Sequence, residues 1–207
     1  MTQRYLALGD SYTIGEAVSA SDRWPVQLAA AVRNAGVALG DPVIIAKTGW
    51  TTTELIAVLD EASPAPDAGY DLVSLLIGVN DQYRGLGVLA FRDGFLELLS
   101  RSVRHARGEP SRVLAVSIPD WAVTPFAVAD PRGAATIASE IDQFNALICD
   151  EACKAGVRFI DVTPISRRAA DNRVLLADDG LHPSSAMYAE WARFILPEAL
   201  AALQISR

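Results

Sequence analysis

A serine hydroxyl is a weak nucleophile at neutral pH. It needs a base, usually histidine, and that histidine works best when a carboxylate orients it. The chain has only two histidines, so the choice of base is narrow. His105 sits in the basic run 101–107, where a cation near a helix end meets the helix dipole favourably; it reads as a solvated, structural residue. His182 lies in Asp178-Asp179-Gly180-Leu181-His182-Pro183, with Asp179 three residues before it. Pro183 can open a final helix and so fix where His182 points. Ser11 follows the first apolar run, in Gly9-Asp10-Ser11-Tyr12. Ser11, His182 and Asp179 therefore supply a nucleophile, a base and its orienting acid. A developing oxyanion also needs fixed donors, which the N–H groups of Ser11 and Gly49 and the amide of Asn80 can provide. Gly49 lacks a Cβ, so a substrate oxygen can approach its backbone closely. Taken alone, an Asp-x-x-His spacing is more often structural than catalytic, so the case depends on what brings these segments together.

Alternation is what would do so. Short apolar runs at 5–8, 43–46, 72–77, 113–118 and 158–162 suit buried parallel strands. Longer amphipathic stretches lie between them near 24–34, 52–61, 88–106 and 134–154, with a last one near 185–203. Gly36, Gly108 and Gly156 follow three of these as stop signals, and Pro25 suits a first helical position. The pattern predicts an α/β fold, a mostly parallel sheet with helices on both faces. Ligands of such sheets bind beyond the carboxyl ends of the strands. The first run leads into Ser11, the second into Thr48-Gly49-Trp50, the third into Gly78-Val79-Asn80-Asp81 and the fourth into Pro119-Asp120-Trp121. All should open on one edge.

Length and composition bound the rest. At 207 residues and 51% hydrophobic content, one domain over 1–207 is expected. The Pro-containing stretches 63–69 and 119–133 are too short, and too similar in composition to their flanks, to mark boundaries. A net charge of -7 argues against nucleic acid and against an anionic lipid surface as partners. No apolar run approaches 18 residues, so no integral membrane association is expected. The first run is broken at once by Gly9 and Asp10, so no signal peptide is visible and a cytoplasmic location is expected, with a trimmed secreted form as the alternative. Cys149 and Cys153 share a helical face without zinc or redox spacing, and read as reduced, buried thiols.

Four blocks now carry a resemblance: Gly9-Asp10-Ser11-Tyr12, Gly49 after the second run, Gly78-Val79-Asn80-Asp81, and Asp179-Gly180-Leu181-His182-Pro183. In this order they resemble the SGNH hydrolases, the GDSL-type esterases and lipases, and together they span nearly the whole chain. Tyr12 stands where the family name has Leu. The resemblance implies a flavodoxin-like three-layer α/β/α sandwich with a five-stranded parallel sheet, and no cofactor or metal. It implies Ser11 as nucleophile, His182 as general base and then acid, Asp179 as its partner, and Ser11, Gly49 and Asn80 as the oxyanion hole. Asp178 is a rival of Asp179 that the spacing disfavours. The expected activity is hydrolysis of small to medium acyl esters through an acyl-enzyme. A carbohydrate O-acetylesterase and a lysophospholipase or thioesterase are family alternatives.

Other residues read more plainly. Asp10 and Asp81 are expected to brace their own loops by hydrogen bonds. Trp50, Gln82, Tyr83 and Arg84 follow strand ends and could line a pocket. Trp121, Val123 and Phe126 lie in the long segment 119–133, as a lid or an acyl-binding wall; ordinary packing is an equal reading for the aromatics. Two rivals come from other classes. Asp10, Asp81 and Asp179 could gather around a divalent ion, although no phosphate-cradling or dinucleotide motif opens the first turn. A non-catalytic protein that binds acyl or sugar ligands could also keep such a fold.

Overall fold

The computed structural model describes residues 2–62 and 69–204; most of the Pro-containing stretch 63–69 therefore lies outside the described residues. Five apolar segments form strands β1 (Tyr5–Gly9), β2 (Val43–Ala46), β3 (Leu72–Leu76), β4 (Val113–Val116) and β5 (Arg158–Ile160). They make one sheet in the order β2-β1-β3-β4-β5, with every pairing parallel. All residues of β1, β3 and β4 are buried, as strands covered on both faces must be, whereas the edge strand β2 is largely exposed or half-buried. Strand order reverses at β1, which lies between β2 and β3, and a crevice opens at such a point. Register brings the carboxyl ends together there: Gly9 pairs with Ala46 on one side and Leu76 on the other.

Helices cover both faces, completing a three-layer α/β/α sandwich. The major ones are α2 (Trp24–Asn34), α3 (Thr52–Ala62), α5 (Val88–His105), α6 (Ala134–Lys154) and α8 (Ser185–Leu203). Helices α2 and α8 pack together on one face, and α3, α5 and α6 follow one another on the other. In α6 the buried residues Ile137, Ile141, Phe144, Ile148 and Ala152 recur every three or four positions, a stripe that must turn inward. Three short helices were not anticipated: α1 (Ser11–Ile14), α4 (Val79–Tyr83) and α7 (Thr163–Arg167). Each is too short for a period to show.

Several sequence-level expectations need correction. The runs at 113–118 and 158–162 end two residues early as strands, because side chains replace the ladder. Asn145 binds both the N–H and the C=O of Ile118, at 2.7 and 2.9 Å. Ser117 Oγ accepts the Val162 N–H at 2.8 Å. Helix α8 begins at Ser185 with Ser184 as its cap, so Pro183 precedes the helix rather than opening it. Pro25 is the second residue of α2, not the first. Cys149 is half-buried and Cys153 exposed, so the two free thiols are not core residues. His105 is half-buried, with its ring edge-on to Tyr70 at 6.4 Å, rather than fully solvated.

Gly9 is the position where the fold tolerates least. A Cβ there would lie 2.2 Å from Thr13 Oγ1 and 2.3 Å from the Leu76 carbonyl oxygen, so neither α1 nor β3 could keep its place. Gly9→Ala should cost about 3 kcal/mol through overpacking, read as a lower urea midpoint. A midpoint equal to that of the unsubstituted protein would contradict this packing.

Candidate active site

Five chain segments meet at the carboxyl edge of the sheet. The chain leaves β1 directly into α1, whose N-cap is Asp10 and whose first residue is Ser11. Asp10 Oδ1 accepts the Tyr12 N–H at 3.0 Å, the loop-bracing bond expected of it. A first helical residue has no intrahelical partner for its N–H, so the Ser11 N–H is free for a ligand. Ser11 itself is 5% exposed, at the floor of a cavity of about 130 Å³.

His182 reaches Ser11 from the loop before α8. Its Nε2 lies 2.9 Å from Ser11 Oγ, across 171 positions of sequence. Its Nδ1 lies 2.6 Å from Asp179 Oδ2. Asp179 Oδ1 also accepts the N–H groups of Leu181 and His182, both at 2.9 Å. Partial burial raises the Asp179 pKa, but the bonds from the His182 ring and the two N–H groups outweigh it and hold the carboxyl below its usual value. An ionised carboxylate can only accept. Nδ1 is therefore the donor of the pair, and Nε2 is the ring nitrogen placed to accept the Ser11 proton. Among the described residues it is Asp179, not the rival acid Asp178, that meets the His182 ring.

The other oxyanion candidates, Gly49 and Asn80, come from two further segments that line the same cavity. The Trp50 N–H bonds to the Lys47 carbonyl at 3.3 Å, closing a turn whose third residue, Gly49, has φ +84°. That is the turn position where a side chain is disfavoured, and it explains the glycine. Asn80, in α4, donates Nδ2 to the Trp50 carbonyl at 2.8 Å. An amide NH₂ has two donors, so this bond fixes the group and leaves the second N–H for the cavity, which Asn80 and Gly49 both line. Asp81 braces the same region, accepting the Thr52 N–H at 3.1 Å and the Thr52 hydroxyl at 2.7 Å.

Of the aromatic residues expected near a pocket, Tyr83, Trp121 and Phe126 line the cavity. Trp50 does not: its ring is half-buried against the core, and only its carbonyl serves the site. Tyr12, Thr48, Val79 and Leu181 line the cavity without having been singled out as lining residues. The Tyr12 ring packs 5.5 Å from the His182 ring. Gln82, instead of facing the cavity, accepts the Trp121 Nε1–H at 2.9 Å and holds that wall from behind. Among the described residues no three His, Cys, Asp or Glu side chains gather closely enough to hold a metal ion, and no helix is long and apolar enough to cross a membrane.

Comparison with known proteins gives the family and the fold. The GDSL-like lipase/acylhydrolase family model matches residues 7–190. No curated protein sequence matches the chain. Among solved structures, a lipase/acylhydrolase from Enterococcus faecalis superposes with a TM-score of 0.74 at 19% identity, covering 99% of both chains. TesA superposes at 0.72 with 20% identity, covering 97% of this chain and 100% of its own. Axe2, an acetylxylan esterase from Geobacillus stearothermophilus, superposes at 0.70 with 20% identity, covering 95% and 94%.

Asp10 generates a prediction separate from any activity. It is fully buried, and its Oδ2 has no partner among the described residues. Burial pushes its pKa up to about 8, opposed by the Tyr12 N–H and assisted by Asp81. The folded protein therefore holds a proton that the unfolded chain releases near the ordinary carboxyl value. Stability attributable to Asp10 is fully present below that value and is lost as pH rises toward 8. Asp10→Asn keeps an acceptor for Tyr12 without the ionisation. Urea unfolding across this window should show the variant gaining on the unsubstituted protein by about 1 kcal/mol per pH unit. Parallel stability profiles would mean that Asp10 is already ionised in the fold.

Proposed function

Since the chain belongs to the GDSL-like lipase/acylhydrolase family, we propose that it is a serine esterase that hydrolyses short acyl esters through an acyl-enzyme. The observation that carries this reading is the continuous relay Asp179–His182–Ser11, with contacts of 2.6 and 2.9 Å, at the floor of a cavity lined by Gly49 and Asn80. In the first half-reaction Ser11 Oγ attacks the ester carbonyl carbon while His182 Nε2 takes its proton. The carbonyl π-electrons move to oxygen, and the N–H groups of Ser11, Gly49 and Asn80 Nδ2 stabilise that charge. Collapse expels the alcohol, which receives the proton from His182, and leaves the acyl group on Ser11. Water then repeats the sequence: His182 takes its proton, its oxygen attacks, and Ser11 leaves with that proton. Asp179 stays ionised throughout and stabilises the imidazolium.

Cavity size supports the short acyl group. An apolar cavity of about 150 Å³ holds a benzene-sized molecule, and this one is about 130 Å³. That volume suits an acyl group of a few carbons beside the reacting centre. Tyr83 and Phe126 line the cavity and stand half exposed. Such rings suit the flat face of a sugar, which favours an acetylated carbohydrate as a second, narrower reading.

Ser11→Ala and His182→Ala should each lower turnover of a p-nitrophenyl ester by a factor on the order of 10⁶, because triad members act as a unit. An organophosphonate should label the unsubstituted protein and not Ser11→Ala. Near-normal turnover in Ser11→Ala would defeat the mechanism. Tight ligand binding with neither turnover nor labelling would favour a non-catalytic binding protein.

In a series of p-nitrophenyl esters, kcat/KM should be highest for acyl groups of about two to four carbons and fall steeply by about eight. A maximum at the long end would exclude the short-acyl reading and leave the lysophospholipase or thioesterase alternatives.

A further inference from the structure

Arg84 is the residue that ends α4, the helix carrying Asn80 and Asp81. Its guanidinium joins two other segments. Nη2 donates to the Gly49 carbonyl at 2.6 Å, and Nη1 donates to Glu54 Oε1 at 3.1 Å. Glu54 stands at the third position of α3. Its other oxygen, Oε2, accepts the Thr51 N–H at 2.6 Å and the Thr51 hydroxyl at 2.8 Å. That is the back-reaching arm of a capping box, and it settles the Glu54 carboxylate before Arg84 arrives. The bond from the Thr51 N–H, partial burial opposing it, holds the Glu54 pKa below its usual value, so the acceptor stays charged.

The arrangement is more specific than a surface ion pair. Arg84 and Glu54 side chains are 47% and 41% exposed, and pairs in that position add little to global stability. What they hold is a turn around a glycine in the left-handed region. Two successive carbonyls of that turn, Gly49 and Trp50, are each held by a side chain of the α4 segment, Arg84 and Asn80. The turn and α4 are thereby registered to one another. They are also the two elements that carry Gly49 and Asn80, both of which line the cavity.

From this we propose that Arg84 is a positioning residue of the oxyanion hole, fixing the Gly49 N–H relative to the Asn80 amide through its grip on the Gly49 carbonyl and Glu54. The inference rests on the serine-esterase reading. Donors that stabilise a developing oxyanion act only when held in place beforehand, and a misplacement of about 1 Å can cost about 10²-fold in rate. Arg84 touches neither nucleophile nor substrate in this role. Lysine has the charge but not the planar fork, so its single nitrogen cannot reproduce the geometry of both bonds, to Glu54 and to the Gly49 carbonyl, at once.

The test compares the unsubstituted protein with Arg84→Ala and Arg84→Lys on a short p-nitrophenyl ester. Arg84→Ala should lower kcat by about 10- to 100-fold with KM nearly unchanged, and weaken a trifluoromethyl ketone that forms a tetrahedral adduct by the same factor. Binding of the carboxylic acid product should not move, and the thermal midpoint should shift by less than about 2 °C. Arg84→Lys should fall between. Millimolar guanidinium should restore part of kcat in Arg84→Ala and none in Arg84→Lys. An Arg84→Ala kcat within twofold of normal would overturn the proposal. So would a loss of kcat that tracks a lowered thermal midpoint and that guanidinium does not restore. If the unsubstituted protein neither turns over esters nor takes an organophosphonate label, the esterase reading itself fails, a result distinct from an active enzyme indifferent to Arg84.

Discussion

One contact organises the molecule: the 2.9 Å approach of His182 Nε2 to Ser11 Oγ, which joins residues 171 positions apart. Neither partner could hold it alone. Ser11 is fixed because β1 runs inside the sheet, flanked by β2 and β3, and passes into α1 through Asp10 alone. His182 is fixed from the other end of the chain. Its C=O accepts the Ala177 N–H at 2.8 Å, and the Ser184 N–H bonds to the Leu175 carbonyl at 2.9 Å, so the histidine loop is pinned on both sides. Helix α8 then packs on α2 and reaches β3 and β4, tying that loop back to the sheet that carries Ser11. The long-range contact is thus a consequence of the two-faced sandwich.

Three carboxylates near that contact show how placement decides chemistry. Asp179 is a third exposed and receives three donors, so it remains charged and can orient an imidazole. Asp81 is buried, and burial raises its pKa although the Thr52 N–H and hydroxyl oppose the rise; it braces the start of α3. Asp10 is buried with one oxygen unpartnered among the described residues, and burial drives it toward its neutral form. The same functional group serves as partner, brace and cap according to how many donors it meets. A divalent ion would need all three ionised and facing a common point. Instead each is committed to a different segment, and no metal-holding cluster forms among the described residues.

The long, periodic parts of this fold were legible in the sequence. Residues 24–34, 134–154 and 185–203 are helices with those same bounds, because a stripe recurring over three or more turns leaves little ambiguity. The five apolar runs are the five strands, and the glycines at 36, 108 and 156 do adopt positive φ beyond their helices. Residues placed by chain order at strand ends could be named, and Ser11, Asp179, His182, Gly49 and Asn80 do meet. Residues whose position depends on where two loops touch could not. Trp50 looks like a pocket residue in sequence, yet its ring turns to the core while its carbonyl faces Asn80. Gln82 and Arg84 look like lining residues, but one braces Trp121 and the other grips Gly49. Period and composition carry no information about such bonds, because each joins segments with independent local patterns.

The segment 119–133 illustrates how much such bonds matter. By length alone it reads equally as lid or wall. It folds into two 3₁₀ turns, Trp121–Val123 and Pro125–Ala129, and is anchored at several points. Trp121 donates its indole N–H to Gln82, whose amide in turn donates to Glu140 of α6 at 2.6 Å. Arg132 bonds to the Gln82 carbonyl and to Glu140, and its guanidinium lies 5.5 Å from the Trp121 ring centroid and 5.9 Å from that of Tyr83. Asp130 clamps the same guanidinium, which holds the Asp130 pKa down to about 2. Opening this segment would break the bonds of Trp121 and Arg132 to Gln82 and Glu140 and strip the Arg132 cation from the Tyr83 face. It is built as a wall. A fixed wall keeps the cavity beside Ser11 at a fixed volume, so the proposed preference for short acyl groups depends on the same bonds that hold Trp121 in place.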